Sequence, residues 1–254
     1  MLLKILTHWL ATCALLTGDL SPVSPSLPLL LLWDIDGTLL SSSGAGLRAL
    51  RSALQSTFSI SGSLDGIEFA GRTDPWIIRQ IFQKFDLPLD DATYRRYFDA
   101  YLGFLPGEMQ QGTARVLPGV RERLAEAAAR PHVTQGLLTG NQRQGARVKL
   151  EHHGLWDHFP FGAFADDHEI RNELGPHALR RAKEHRGYSF SPHRTWIIGD
   201  TPHDIACGRA IGARTLAVAT GHCEPEVLRS HQPDGMLTDL ADAEAFWGIV
   251  DPRA

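Results

Sequence analysis

Leu29-Leu30-Leu31-Leu32-Trp33-Asp34-Ile35-Asp36-Gly37-Thr38 is the stretch on which the reading of this chain turns. An unbroken apolar run of this length suits a strand buried on both faces, as in a parallel sheet, rather than a strand with one wet face. The run ends abruptly in two carboxylates, a glycine and a threonine. In open α/β sheets the ligand crevice lies outside the carboxyl ends of the strands. Asp34 and Asp36 are therefore expected at that edge.

Further strands of the same kind follow. Val133 to Leu138 ends in Thr139-Gly140-Asn141, Thr195 to Ile198 ends in Gly199-Asp200-Thr201, and Arg214 to Ala219 ends in Thr220-Gly221. Gly235-Met236-Leu237 is a weaker last strand. Helical periodicity lies between them, over Val120 to Ala129, Gln144 to His153, Pro176 to His185 and Asp204 to Ile211. Alternating strand and helix implies an α/β fold, a Rossmann-like parallel sheet wrapped by helices. The gap from Ser42 to Thr113 is different. It carries helical signals over Leu47 to Phe58, Thr73 to Phe85 and Leu89 to Gly103, with Thr73 placed to cap the second and Pro75 in its first turn. That is too much chain for one crossover. The expected division is a core of residues 28–43 and 114–254, a helical cap inserted over 44–113, and an N-terminal extension over 1–27. Ser41 to Gly46 reads as a flexible hinge into the cap.

The polar clusters at the strand ends carry the chemistry. Two carboxylates as close as Asp34 and Asp36 do not both stay charged easily without a cation. One can act as nucleophile and metal ligand while its neighbour handles a proton; a plain Asx turn is the alternative. Thr139, Gly140 and Asn141 offer a hydroxyl, backbone N–H groups and an amide, which suit phosphate oxygens. Equally, Asn141 could cap the following helix. Asp200 and Asp204 bring two more carboxylates, and an all-oxygen set without His or Cys suits Mg²⁺. Asp204 could also serve as an N-cap. His152 and His153 are adjacent, so they lack the spacing of a metal site on one helix face. His203 could line the pocket, and Cys207 reads as a packed thiol.

These motifs resemble the haloacid dehalogenase superfamily, and within it the phosphatases similar to phosphoglycolate phosphatase. The first motif of that family, D-x-D-G-T, reads here Asp34 to Thr38; its second, a Thr or Ser ending a strand, is Thr139; its fourth, G-D-x-x-x-D, runs from Gly199 and Asp200 to Asp204. The resemblance covers residues 29 to 245, and the helical insert looks like the C1-type cap. It implies that Asp34 attacks phosphorus to form an aspartyl-phosphate, and that Asp36 protonates the leaving alcohol and then activates water. It also implies Mg²⁺ bound by Asp34, the Asp36 carbonyl and Asp200, with Asp204 in support. Thr139 and the backbone of Gly140 and Asn141 would hold phosphoryl oxygens. The third motif departs from the usual Lys and P-x-P run. Arg171 stands where the Lys is expected and is the first choice for the motif's cation, with Lys183 in reserve. Arg keeps a fixed charge and a bidentate fork, so the exchange is workable but not equivalent. Arg72, in a cap loop resembling one that faces the active site in these phosphatases, is expected either to meet substrate or simply to begin a helix. Asp36 weighs against a dehalogenase, because a halide leaves without a proton. A phosphomutase and a non-catalytic phosphometabolite-binding protein are the alternatives to a phosphatase.

Composition narrows the partners. The chain has 254 residues, a net charge of −4 and three cysteines, Cys13, Cys207 and Cys223, without C-x-x-C spacing. A disulfide scaffold or structural zinc site is not expected, nor is any global attraction to nucleic acid or an anionic membrane. The resemblance implies a small phosphorylated metabolite as partner, and a monomer or homodimer in a reducing cytoplasm is expected. The apolar stretch from Ile5 to Leu16 is signal-like but lacks an A-x-A cleavage site. A tail, or residues upstream of the true start, is the expected reading there, with export as the alternative.

Overall fold

A computed structural model describes residues 27–252 of the chain. The expectations for the N-terminal extension thus lie, apart from Leu27, outside the described residues. The first strand, β1 (Leu29–Trp33), is wholly buried. Leu29, Leu31 and Trp33 face one hydrophobic cluster and Leu30 and Leu32 another, which is why every position in the run is apolar. Trp33 stacks on Phe246 with ring centroids 5.8 Å apart.

After β1 the chain forms β2 (Leu40–Ser41), then three helices, α1 (Ala45–Phe58), α2 (Asp74–Lys84) and α3 (Asp91–Gln111), then β3 (Arg115–Val116). From there helices and strands alternate: α4 (Val120–Ala128), β4 (Val133–Leu138), α5 (Arg143–His152), β5 (Gly162–Ala163), α6 (Leu174–Arg186), β6 (Thr195–Gly199), α7 (Pro202–Ala210), β7 (Arg214–Val218), α8 (Pro225–Ser230), β8 (Gly235–Leu237) and α9 (Ala243–Val250). The main sheet has the order β5-β4-β1-β6-β7-β8, and every pairing in it is parallel. Its central strand β1 pairs with β4 on one side and β6 on the other. Chain direction across the sheet reverses there, so a crevice opens beyond the ends of these three strands. Among the described residues, no helix is long and apolar enough to cross a membrane.

The three helices after β2 build a hydrophobic cluster of their own, centred on Leu54, Ile81, Phe82, Tyr97 and Leu105. Thr73 caps α2 as expected, its hydroxyl accepting from Trp76 N. The third helix is longer than expected. It passes through Gly103 and Pro106 to Gln111, because Leu105 and Met109 pack into that cluster and tertiary burial overrides the local breakers. The segment expected as a hinge is tied to the chain leaving the helices. Leu40 and Ser41 pair antiparallel with Val116 and Arg115, Ser43 Oγ donates to the Thr113 carbonyl at 3.0 Å, and Arg48 donates to the Ser43 carbonyl at 2.7 Å. The incoming and outgoing chains of the helical insert therefore run side by side. Strand β7 stops at Val218, one residue short of the expected end, and β5, α8 and α9 are additions.

Candidate active site

Asp34, Thr139 and Asp200 follow directly on the three central strands and are all buried. The turn after β1 is shaped by Gly37, whose φ of 81° lies in the left-handed region and whose N–H donates to the Leu40 carbonyl at 2.8 Å. A methyl group at Gly37 would lie 2.3 Å from Asp200 Oδ2, and one at Gly221 would lie 1.7 Å from the same atom. Two glycines thus make room for one carboxylate. The Thr38 hydroxyl donates to Asp200 Oδ1 at 3.2 Å, and Thr220 Oγ1 donates to the Gly37 carbonyl at 2.6 Å. Carboxylate oxygens of Asp34, Asp200 and Asp204 gather within 4.8 Å of one another. Asp204 is not the N-cap of α7, a position that Thr201 holds; it closes the capping box from the third helical position while keeping its place in the acidic cluster.

Arg171 reaches this cluster from the segment before α6. Its Nη2 lies 3.0 Å from Asp34 Oδ1 and also meets Asp204, while Nη1 donates to the Gly71 carbonyl at 3.2 Å. Lys183 is exposed on α6, away from the cluster, so the reserve cation is not brought to the site.

Asn141 does not cap α5; Gln142 holds that position. The Asn141 side chain turns inward, donating from Nδ2 to Asp36 Oδ2 at 2.9 Å and to Thr139 Oγ1 at 3.0 Å. Lys149, on α5, completes this group with Nζ 2.6 Å from Asp36 Oδ2 and 2.7 Å from Asn141 Oδ1. Helix α5 itself is capped from the insert, where Asp74 Oδ2 accepts from Gln142 N at 2.7 Å. Asp74 N donates to the Gly140 carbonyl at 2.8 Å, and the Thr73 hydroxyl donates to the Glu169 carbonyl at 2.6 Å. The insert is therefore seated directly on the loop after β4.

A family model for haloacid dehalogenase-like hydrolases matches residues 31–209, a span running from β1 into α7. The chain belongs to the haloacid dehalogenase-like hydrolase family. It is similar to the pyrophosphatase PpaX of Bacillus pumilus, 32% identical over 114 residues that make up 44% of this chain and 51% of the relative. It is also similar to a phosphoglycolate phosphatase of Mesorhizobium japonicum, 24% identical over 214 residues, 82% of this chain and 90% of the relative. The chain spans about half the length of several curated relatives that it matches. Among solved structures, CbbY from Rhodobacter sphaeroides in complex with phosphate superposes with a TM-score of 0.70 at 16% identity, over 88% of this chain and 99% of that one. This last likeness bears on the fold.

The electrostatics of this haloacid dehalogenase-like site are those of a cluster short of positive charge. Burial pushes Asp34 up to about 6; Arg171 works against the rise, and Asp204 and Asp36 add to it. Asp200 is raised well above the ordinary carboxylate range by burial and by Asp204 and Asp34. Burial opposes the charge of Arg171 too, but Asp204 and Asp34 outweigh it and raise its pKa. One guanidinium among three buried carboxylates leaves room for a divalent cation, and the all-oxygen donor set fits Mg²⁺. Asp36 stands apart from this cluster. Burial would raise it, but the charge and hydrogen bond of Lys149, with help from Asn141 and Ser42, hold it below its ordinary value.

The Arg72 side chain is engaged within its own loop and helix. Its guanidinium donates to Glu68 Oε2 at 2.6 Å and lies 4.4 Å from the centroid of the Trp76 ring, and His203 Nε2 lies 3.3 Å from Glu68 Oε1. It is the backbone of Arg72 that meets the loop after β4, since a methyl at Gly140 would lie 2.3 Å from its carbonyl oxygen. Cys207 is buried, donates to the Arg171 carbonyl, and has its thiol pushed up to about 12 by burial, consistent with a packing role.

Sequence reasoning missed Lys149 and Asp74. For Lys149 a signal exists: the buried face of α5 is Gly145, Ala146, Lys149 and Leu150, so the lysine stands at an apolar-stripe position. Asp74 reads in the sequence only as a helix-start residue. Its partner lies across the interface, which local pattern cannot show.

Proposed function

We propose that this chain is a Mg²⁺-dependent phosphatase that hydrolyses a phosphate monoester of a small metabolite through an aspartyl-phosphate on Asp34. The observation that carries the reading is the convergence of Asp34, Arg171, Asp200 and Asp204 beside Thr139 at the sheet's topological switch point. Residues 44–113 act as a cap over the core of 28–43 and 114–254, and the contacts of Thr73 and Asp74 with the core support that division.

In the first step an Asp34 carboxylate oxygen forms a bond to phosphorus as the ester P–O bond breaks, and Asp36, ionised in the free chain, gives the leaving oxygen a proton that it takes up as the substrate binds. In the second, Asp36 takes a proton from water as the new P–O bond forms and the Asp34–phosphorus bond breaks. Asp34 is then free and Asp36 carries its proton again. Arg171 offsets charge on Asp34 and the phosphoryl oxygens, while Thr139 and the backbone of Gly140 and Asn141 orient those oxygens. Asp34, the Asp36 carbonyl and Asp200, with Asp204 in support, would hold Mg²⁺, which would supply charge neutralisation at the transferring group. Arg72, with Glu68 and His203 beside it, would meet the substrate's far end. Phosphoglycolate is the first substrate to try, on the strength of the relatives. A reducing cytoplasm is the proposed compartment, which the lack of a disulfide among the described residues fits.

The test is turnover of a panel of phosphate monoesters by the full chain with Mg²⁺, beside Asp34→Asn and a chelator-treated sample. Turnover lost in both controls is expected. No turnover on any ester by a folded, metal-binding chain would overturn the reading.

A further inference from the structure

Lys149 sits where a lysine needs a reason to be. It is 5% exposed, on the core-facing side of α5, and two hydrogen bonds anchor its ammonium, to Asp36 Oδ2 and Asn141 Oδ1. An ammonium group has donors only, so it dictates which way the Asn141 amide faces. The amide oxygen must point to Lys149, which leaves the NH₂ to donate to Asp36 Oδ2 and Thr139 Oγ1. With Lys149 removed, the Asn141 oxygen loses its donor, and only the Asp36 carboxylate and the Thr139 hydroxyl are left to hold the amide in place. The two donors also meet on the same oxygen of Asp36. Oδ2 is thereby committed to the protein, and exchange with substrate falls to Oδ1.

Stability alone does not account for the residue. A buried ion pair is commonly no better for folding than apolar side chains of similar volume, and the neighbours of Lys149 on that face are Ala146 and Leu150. Resting on the phosphatase reading, we propose that Lys149 is the positioning residue of the reaction: it fixes the Asp36 carboxylate and, through Asn141, locks it in register with Thr139. Lys149 itself touches neither phosphorus nor the leaving group. It acts by deciding where the proton-handling oxygen stands.

A residue acting in this way leaves a signature in leaving-group dependence. The probes are p-nitrophenyl phosphate, whose leaving group departs without a proton, and the alkyl phosphate that the unmodified chain turns over fastest. In Lys149→Met, kcat/KM for the alkyl ester is expected to fall at least about 30-fold further than for the aryl ester, within the range of a general-acid contribution. Lys149→Arg, which retains the charge and so the fold but not the geometry, is expected to lower the same ratio by less. In an Asp36→Asn background, adding Lys149→Met is expected to cost less than about threefold more, because the two residues act as one unit. Equal losses on both esters, or losses that multiply in the double variant, would overturn the role of Lys149 alone. Absence of turnover by the unmodified chain on either ester would overturn the phosphatase reading and this role together.

Discussion

Asp74→Asn is expected to stabilise the protein at neutral pH, although it removes a charged residue that makes a 2.7 Å hydrogen bond to Gln142 N. Burial raises the Asp74 carboxyl from 3.8 to about 6, with Lys149 and the Gln142 N–H only partly offsetting it. A carboxylate raised in the folded state binds its proton more readily there than in the unfolded chain. Its ionised form is therefore a penalty on folding, absent well below pH 3.8 and complete above about 6. Two pKa units correspond to about 3 kcal/mol, of which about half is in place at pH 5. Asparagine keeps an acceptor oxygen for Gln142 N but makes a weaker bond than a carboxylate, which returns about 1 kcal/mol of the gain. The net expectation is about 1–2 kcal/mol of added stability at pH 8, or a Tm rise of about 2–8 °C, shrinking to near zero at pH 5. Thermal unfolding of both proteins in metal-free buffer across that range reads this directly. A variant less stable than the parent at pH 8, or a difference that does not change with pH, would refute the reasoning.

Further expectations concern the acidic cluster and the seat of the insert. Arg171→Met leaves Asp34 and Asp204 buried without their cation and should cost about 3–5 kcal/mol in chelator, read as a lower urea midpoint; an unchanged midpoint would contradict the charge argument. Because Asp34 is raised to about 6, protons compete with a cation below that pH and not above it, so Mg²⁺ should raise Tm more at pH 8 than at pH 5. An equal rise at both would count against Mg²⁺ in this cluster. Gly140→Ala sets a methyl against the Arg72 carbonyl and pushes the insert off the loop after β4, which should lower kcat/KM by about a hundredfold. Normal turnover by that variant would show that the contact is not needed for the reaction.

How far the sequence could be read depended on whether a feature is local. The strand Leu29–Trp33 and the edge residues Asp34, Thr139 and Asp200 were legible, because a doubly buried strand and its polar end announce themselves over ten consecutive residues. The end of α3 was not, since Gly103 and Pro106 are breakers by local propensity and only the packing of Leu105 and Met109 carries the helix past them. Short β2 and β3 exist through their pairing with each other across the whole insert, which no window of sequence contains. The same holds within the site. Arg171 was placed by its distance from known motifs, whereas Lys149 and Asp74 owe their positions to partners on other elements.

The pairing of Leu40–Ser41 with Arg115–Val116 has a consequence for how chains of this architecture diversify. Where two connections leave a core as neighbours, the core experiences whatever lies between them as a long hairpin loop, and insertions at such points are tolerated because the ends already meet. The helical insert is in that sense a replaceable module. A segment of different length or chemistry could be grafted between the two short strands without altering the spacing of β1, β4 and β6. Any such graft has to restore the Gly71 carbonyl for Arg171 and the Asp74 carboxylate for the start of α5, because the site below borrows both from the insert.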